Sequence, residues 1–223
     1  GLSAANGGGG DGQAVVIQPL DQKILVTGTW NAAASAESEV FVARFDATGT
    51  LDGTFGTAGV VLLTPAGVTS PSGNAIALRS DGSIIVVGTG TASGASVGFV
   101  TGLTSTGDPI PGFADAIVQD PLGSAGANFG FNAVAILAGD GILAGGGGGD
   151  LTLAQFTSTG APDTAFDTDG IASFNFLDFS TAEGPTSSND VITAVTVRGD
   201  SRILIAGRAG ASSTSTATNR VLG

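Results

Sequence analysis

A pattern of short apolar runs and turns returns four times along this chain and limits the folds open to it. The segments "VVIQPLDQKILVTG" (Val15 to Gly28), "AIALRSDGSIIVVG" (Ala75 to Gly88), "AVAILAGDGILAGG" (Ala133 to Gly146) and "AVTVRGDSRILIAG" (Ala194 to Gly207) superimpose. Their closing glycines are 60, 58 and 61 residues apart. A second element follows in the first three units: "FVARFDATG", "FVTGLTSTG" and "TLAQFTSTG", ending at Gly49, Gly107 and Gly160. Six residues beyond each of those glycines stands a phenylalanine, at Phe55, Phe113 and Phe166. Self-similarity at a fixed period marks a repeat architecture, in which each unit buries its apolar surface against its neighbours.

Within a unit, the first element is two β-branched runs split by a turn, which predicts a hairpin. Asp21, Asp81 and Asp200 share one turn position, with Gly139 in the third unit. A carboxylate there accepts backbone N–H bonds. The closing glycine is expected to end a strand at a point of backbone freedom or close approach. Loops follow, such as Thr29 to Glu39 and Thr89 to Val97. The next strand alternates, with Phe41, Ala43 and Phe45 on one face and Val42 and Arg44 on the other. A fourth strand is predicted at Gly59 to Leu63, Ala116 to Gln119 and Ile171 to Phe176. Helical periodicity of useful length appears nowhere.

These readings predict an all-β, β-propeller-like array of four-stranded antiparallel blades, about three and a half repeats of roughly 60 residues. A right-handed β-solenoid ranks second because its coils run to only about 20 to 30 residues. A β-sandwich ranks third, since it demands no regular period. The units divide as a Gly-rich segment over 1–12, repeats over 13–71, 72–128 and 129–187, and an incomplete repeat over 188–223. The fourth stops at "TNRVLG" inside its expected third strand and lacks the glycine-to-phenylalanine element. The chain is therefore expected to be a piece of a longer polypeptide, or to pair with other chains that cover its open edges.

The quoted pattern resembles the delta-60 repeat family, whose consensus reads loosely as Asp-Gly-Lys-Ile-Leu-Val-Ala-Gly, an apolar strand with an Arg, then Asp-Gly-Thr-Leu-Asp-Thr-Thr-Phe-Gly. "DQKILVTG", "FVARF" and "DATGTLDGTFGTAG" look like that motif, over roughly residues 13 to 223. In the second unit Pro109, Pro111 and Ala114 replace Leu, Asp and Gly, which puts the turn before its fourth strand in question. The resemblance implies a propeller in a large secreted or surface-attached bacterial protein. It implies no enzymatic activity and brings no functional residues.

Composition excludes several functions. The net charge of −12, with Lys23 the one lysine, repels phosphate backbones and anionic membranes, so nucleic acid is not an expected partner. The chain has no Cys, His or Tyr, which removes thiolate chemistry, the commonest general base and the commonest transition-metal ligand. No apolar run approaches the roughly 18 residues that span a bilayer. With no Met, Gly1 is not an initiator, consistent with processing or with a longer parent chain.

The candidate chemistry is sparse. Asp163, Asp167 and Asp169 partly echo a calcium loop, but Ala165 takes its first ligand position and no glutamate closes it. They are the weak metal candidates, and calcium is the one cofactor considered. The runs "GGGGDG" (Gly7 to Gly12) and "GGGGGD" (Gly145 to Asp150) are read as flexible loops. Trp30 is either a sugar-stacking platform or, as favoured, a cap on the blade's apolar edge. Phe55, Phe113 and Phe166 are expected core anchors. No catalytic residues are assigned. The function expected is a non-enzymatic structural or interaction module, extracellular, on the cell surface or periplasmic, that meets other subunits or a surface glycan. A lectin-like carbohydrate- or calcium-binding propeller is the alternative, and a carboxylate hydrolase ranks third.

Overall fold

The computed structural model describes residues 8–32, 35, 37–121, 128–174 and 190–208, and these are almost entirely strand and turn. The first sheet holds β1 (Gly9–Ile17), β2 (Ile24–Asn31), β3 (Ser38–Phe45) and β4 (Val60–Leu63) in that spatial order. The second repeats it with β5 (Thr69–Leu78), β6 (Ile84–Ala92), β7 (Ala95–Leu103) and β8 (Ala116–Gln119). The third unit supplies β9 (Gly130–Ile136), β10 (Ile142–Gly147), β11 (Leu151–Phe156) and β12 (Ile171–Phe174). β13 (Val191–Val197) and β14 (Ile203–Arg208) form the fourth hairpin, joined to β10 by a single bridge between Gly147 and Val191. Pairing is antiparallel throughout, which a parallel β-solenoid would not give. The expected third strand of the fourth unit lies outside the described residues.

The sheets stack like blades. The first strand of each leans on the first three strands of the sheet before it, and β1, β5, β9 and β13 are consecutive neighbours. Each stacking interface is an apolar core, around Phe99 and Phe55 between the first two sheets and around Phe131 and Phe156 between the next two. A third core, around Leu143 and Ile192, joins the third unit to the fourth. No sheet closes on itself among the described residues.

The closing glycines share one environment, but they do not end strands. Gly28, Gly88, Gly146 and Gly207 sit inside β2, β6, β10 and β14, each opposite a β-bulge in the first strand of its unit. An added Cβ would overlap a backbone carbonyl of that first strand, from Asp11, Ser72, Gly130 and Val191 respectively. The bulge presses one backbone against the other, so a residue without Cβ is required there. The predicted loops accordingly shrink: β6 runs on to Ala92, and Ser93 and Gly94, both at positive φ, reverse the chain directly into β7.

The alignment of the first unit shifts by one. Ala14, not Val15, corresponds to Ala75, Ala133 and Ala194, because Ala14 pairs with the residue just before the closing glycine. Its hairpin turn, closed by Gln18 N–H on Lys23 O, is one residue longer than that closed by Arg79 N–H on Ser83 O. The turn aspartates behave as expected: Asp21, Asp81 and Asp200 accept the N–H groups of Lys23, Ser83 and Arg202. The third turn, without an aspartate at that position, is a single 3₁₀ turn over Ala138–Asp140.

Candidate functional site

Each sheet turns one face to the sheet before it (leading) and one to the sheet after it (trailing). Strand alternation puts Val15 and Ile17 of β1, Val26 and Trp30 of β2, Phe41, Ala43 and Phe45 of β3 and Leu62 of β4 on the leading face of the first sheet. In the second sheet the counterparts of Val15 and Val26 are Ile76 and Val86, packed on the trailing face of the first sheet. On the first sheet no described residue supplies that cover. Val15 is 63% exposed, Ile17 55% and Leu62 45%. The face is therefore built as a core but borders solvent.

Trp30 fills the upper part of this face and is only 8% exposed, packed with Phe41 and Ala43, so it offers no open stacking platform. The second sheet solves the same packing in reverse. There a glycine, Gly90, stands at the second-strand position, and the Val68 side chain at the entry to the first strand takes the space beside it. In the first sheet Gly8 occupies that entry and the indole comes from β2. The filling side chain thus moves from one strand to its neighbour between the two sheets.

At the opposite end, the turn between third and fourth strands locks the first unit to the second and the second to the third. Arg44 of β3 is buried and donates through Nε to Asp52 at 2.8 Å, through Nη2 to the Thr54 hydroxyl at 3.1 Å, and through Nη1 to the Ser105 carbonyl of the next unit at 2.7 Å. Its guanidinium lies 4.7 Å from the Phe55 ring centroid. Lys23 adds a 3.1 Å ion pair to Asp52. The Thr54 hydroxyl and N–H, then Lys23, hold the Asp52 carboxyl well below the usual carboxylate range against the opposing effect of burial, and Arg44 adds to this. Phe55 is fully buried, and Gly56 N–H donates to Thr106 O across the interface.

The second and third units keep this backbone with different side chains. Ile110, rather than Pro111, takes the place of Asp52: its N–H bonds Gly102 O just as that of Asp52 bonds Arg44 O. The two prolines therefore leave the turn intact, and Ala114 N–H crosses to Thr159 O. Phe113 and Phe166 are half-buried members of the second and third cores. In the third unit Gln155 stands where Arg44 does and donates to Asp163 at 2.7 Å.

A polar track marks the first-strand bulges. The bulged residues are Gln13, Asn74, Asn132 and Thr193. Asn74 donates to the Thr89 hydroxyl, to Phe131 O and to Asn132 Oδ1 of the following unit, and Ser72 links Asn74 to Thr29 of the preceding one. The sequence carried this signal: a polar residue precedes the alanine in all four copies, as "QA", "NA", "NA" and "TA".

Asp163, Asp167 and Asp169 fall in the turn before β12. Asp163 accepts Gln155 and the Ala165 N–H, Asp169 accepts the Ile171 N–H, and Asp167 adopts a positive φ. Among the described residues no group of three or more acidic side chains is suited to hold a metal ion. The described glycine runs are largely strand, although Gly148 to Asp150 form the bend between β10 and β11. Gly9 to Gly12 belong to β1, and Gly145 to Gly147 are buried in β10. At Gly10 an added Cβ would crowd the Trp30 and Phe41 rings, and at Gly145 to Gly147 it would meet Ile192 or a backbone carbonyl, whereas Gly9 has open space there.

A family model described as a domain of unknown function with a β-propeller fold (DUF5122) matches residues 21–55, the span from the first hairpin turn to Phe55. That stretch of the chain is similar to a propeller repeat. Among solved structures, a GH43 β-1,3-galactosidase is similar at 14% identity with a TM-score of 0.46, over 87% of this chain. The chain spans 38% of that protein's length. No curated protein matches the sequence. No described helix is long and apolar enough to cross a membrane.

Proposed function

We propose that this chain is a non-enzymatic structural and interaction module, secreted or surface-borne, that works by docking a protein partner onto the leading face of its first sheet. One observation supports this above all: the counterparts of Val15 and Ile17 in the second sheet, Ile76 and Leu78, belong to the inter-blade core, whereas Val15 and Ile17 stand exposed in the first. A contiguous apolar patch of this kind, on a chain otherwise kept soluble by a charge of −12, is characteristic of an interface. A dye that brightens in apolar surroundings tests it. The wild type is expected to enhance its fluorescence severalfold, and Ile17→Lys to lose most of that signal with an unchanged far-ultraviolet spectrum. A wild type that leaves the dye dark overturns the reading.

A second reading, a lectin-like or calcium-binding propeller, draws on the neutral amide and hydroxyl groups of the bulge track at Asn74, Thr89 and Asn132. Thermal unfolding with calcium, with chelator and with neutral oligosaccharides separates the two. The interaction module keeps one midpoint in every arm, whereas a saturable rise in any arm favours the second reading.

A further inference from the structure

The trailing face of the fourth unit complements the bare leading face of the first. Register places Ala194, Thr196, Leu204 and Ala206 where the first sheet has Ala14, Val16, Leu25 and Thr27, and where the second has Ala75, Ala77, Ile85 and Val87. Those positions belong to the surfaces that cover Ile76 in the second sheet and Val134 and Ile136 in the third. Leu25, Ile85 and Leu143 are fully buried at the position that Leu204 holds, yet Leu204 is only half-buried, and Ala194 and Thr196 are exposed. Among the described residues, the first and fourth units thus present the two complementary halves of one inter-sheet interface.

We infer that two copies of this chain associate head to tail, with Val15 and Ile17 of one seated on Ala194, Thr196 and Leu204 of the other. This rests on the interaction-module reading and names its partner. A second copy is the occupant because the same interface already operates inside the chain. There, the first strand of one sheet packs on the first three strands of its predecessor. β1 is such a first strand, and β13 and β14 supply two of the three predecessors. The side chains brought together carry no charge, so the −12 of each copy opposes the contact only at longer range, and association strengthens as salt screens it. The contact is heterologous, using different surfaces on the two copies, so it propagates or closes according to the rotation between them.

Sedimentation velocity over a concentration series tests the inference. The wild type is expected to move from its monomer mass of 21.4 kDa to multiples of it, more readily at high salt. Ile17→Lys blocks the head and Thr196→Lys blocks the tail; both positions are exposed, so the fold is retained. Each variant alone is expected to stay monomeric. An equimolar mixture is expected to form a 1:1 dimer and nothing larger, because one intact head meets one intact tail. A wild type that stays monomeric at every concentration overturns the inference, as does association that survives Thr196→Lys. If the wild type is monomeric but still brightens the apolar dye at Ile17, head-to-tail pairing fails while the interaction reading stands; a dark dye removes both.

Discussion

The bases of the first and second units both place a guanidinium over the repeat phenylalanine, and they differ in how that charge is met. In the first, Arg44 comes from the third strand and finds Asp52, Thr54 and the Ser105 carbonyl. In the second, Arg79 comes from the end of the first strand and lies 5.2 Å from the Phe113 centroid. Gly102 stands at the position of Arg44, where even a Cβ would crowd Ile110 and Phe113. The acid is replaced by Ile110 and the hydroxyl by Gly112. Arg79 is 8% exposed, and its Nε and Nη2 are buried without a hydrogen-bond partner. Burial draws its pKa below the ordinary arginine value, opposed by the charges of Asp140 and Asp81. In the third unit the equivalent of Arg79 is Leu137, in the same apolar cluster as Phe166. The aromatic anchor and the crossing turn are therefore the constant part of the interface, and charge satisfaction is a separate layer that each unit treats differently.

If the ring is the constant part, its removal has the largest effect. Phe55→Ala is expected to cost roughly 3–5 kcal/mol, as for a fully buried aromatic. Phe113→Ala, at a half-buried position, is expected to cost about half as much. Urea midpoints of the two variants check this. Equal losses would show that burial does not rank the two anchors.

The charge layer of the first unit comes next. Asp52→Asn leaves Arg44 and Lys23 facing a neutral amide, at a cost of roughly 2–3 kcal/mol, short of a fully buried pair because the Asp52 side chain keeps 11% exposure. The pH dependence has a definite sign. The folded carboxyl titrates below its unfolded counterpart near pH 4, so its contribution is complete above that value and lost as acidification proceeds beneath it. Midpoints measured from about pH 6 down to pH 3 should fall more steeply for the wild type than for Asp52→Asn. Parallel slopes would remove Asp52 from the stabilising network.

Much of this frame was legible in the residues. The hairpins, the Phe41/Ala43/Phe45 alternation, the fourth strands and the phenylalanine anchors follow from period and polarity alone. The bulge escaped because it is a backbone event. Its polar markers, Gln13, Asn74, Asn132 and Thr193, look like ordinary solvent-facing strand residues until the register is known. The longer first turn hid a one-residue shift for the same reason. The exchange of Trp30 with Gly8 against Gly90 with Val68 couples positions on neighbouring strands, so no single segment reveals it. The exposed state of Val15 and Ile17 is likewise invisible in the repeat, since every unit carries an apolar residue there.

The smallest expected effect is also the sharpest test of the comparison, because its sign is opposite. Buried donors without acceptors cost roughly 1–3 kcal/mol, while stacking of the Arg79 cation on Phe113 returns about 0.5–1. Arg79→Met keeps the aliphatic stem over the ring and discards the unmet donors, as Leu137 already does in the third unit. It should stabilise the protein by about 1 kcal/mol, whereas Arg44→Met in the satisfied network should destabilise it. Ile110→Asp supplies the missing acid and supports the same account from the other side. Its cost should be smaller with Arg79 present than in the Arg79→Met background, a coupling of roughly 1–2 kcal/mol in a double-mutant cycle read from urea midpoints. Zero coupling together with a destabilised Arg79→Met would mean that the second guanidinium is as well served as the first, and the contrast between the two bases would collapse.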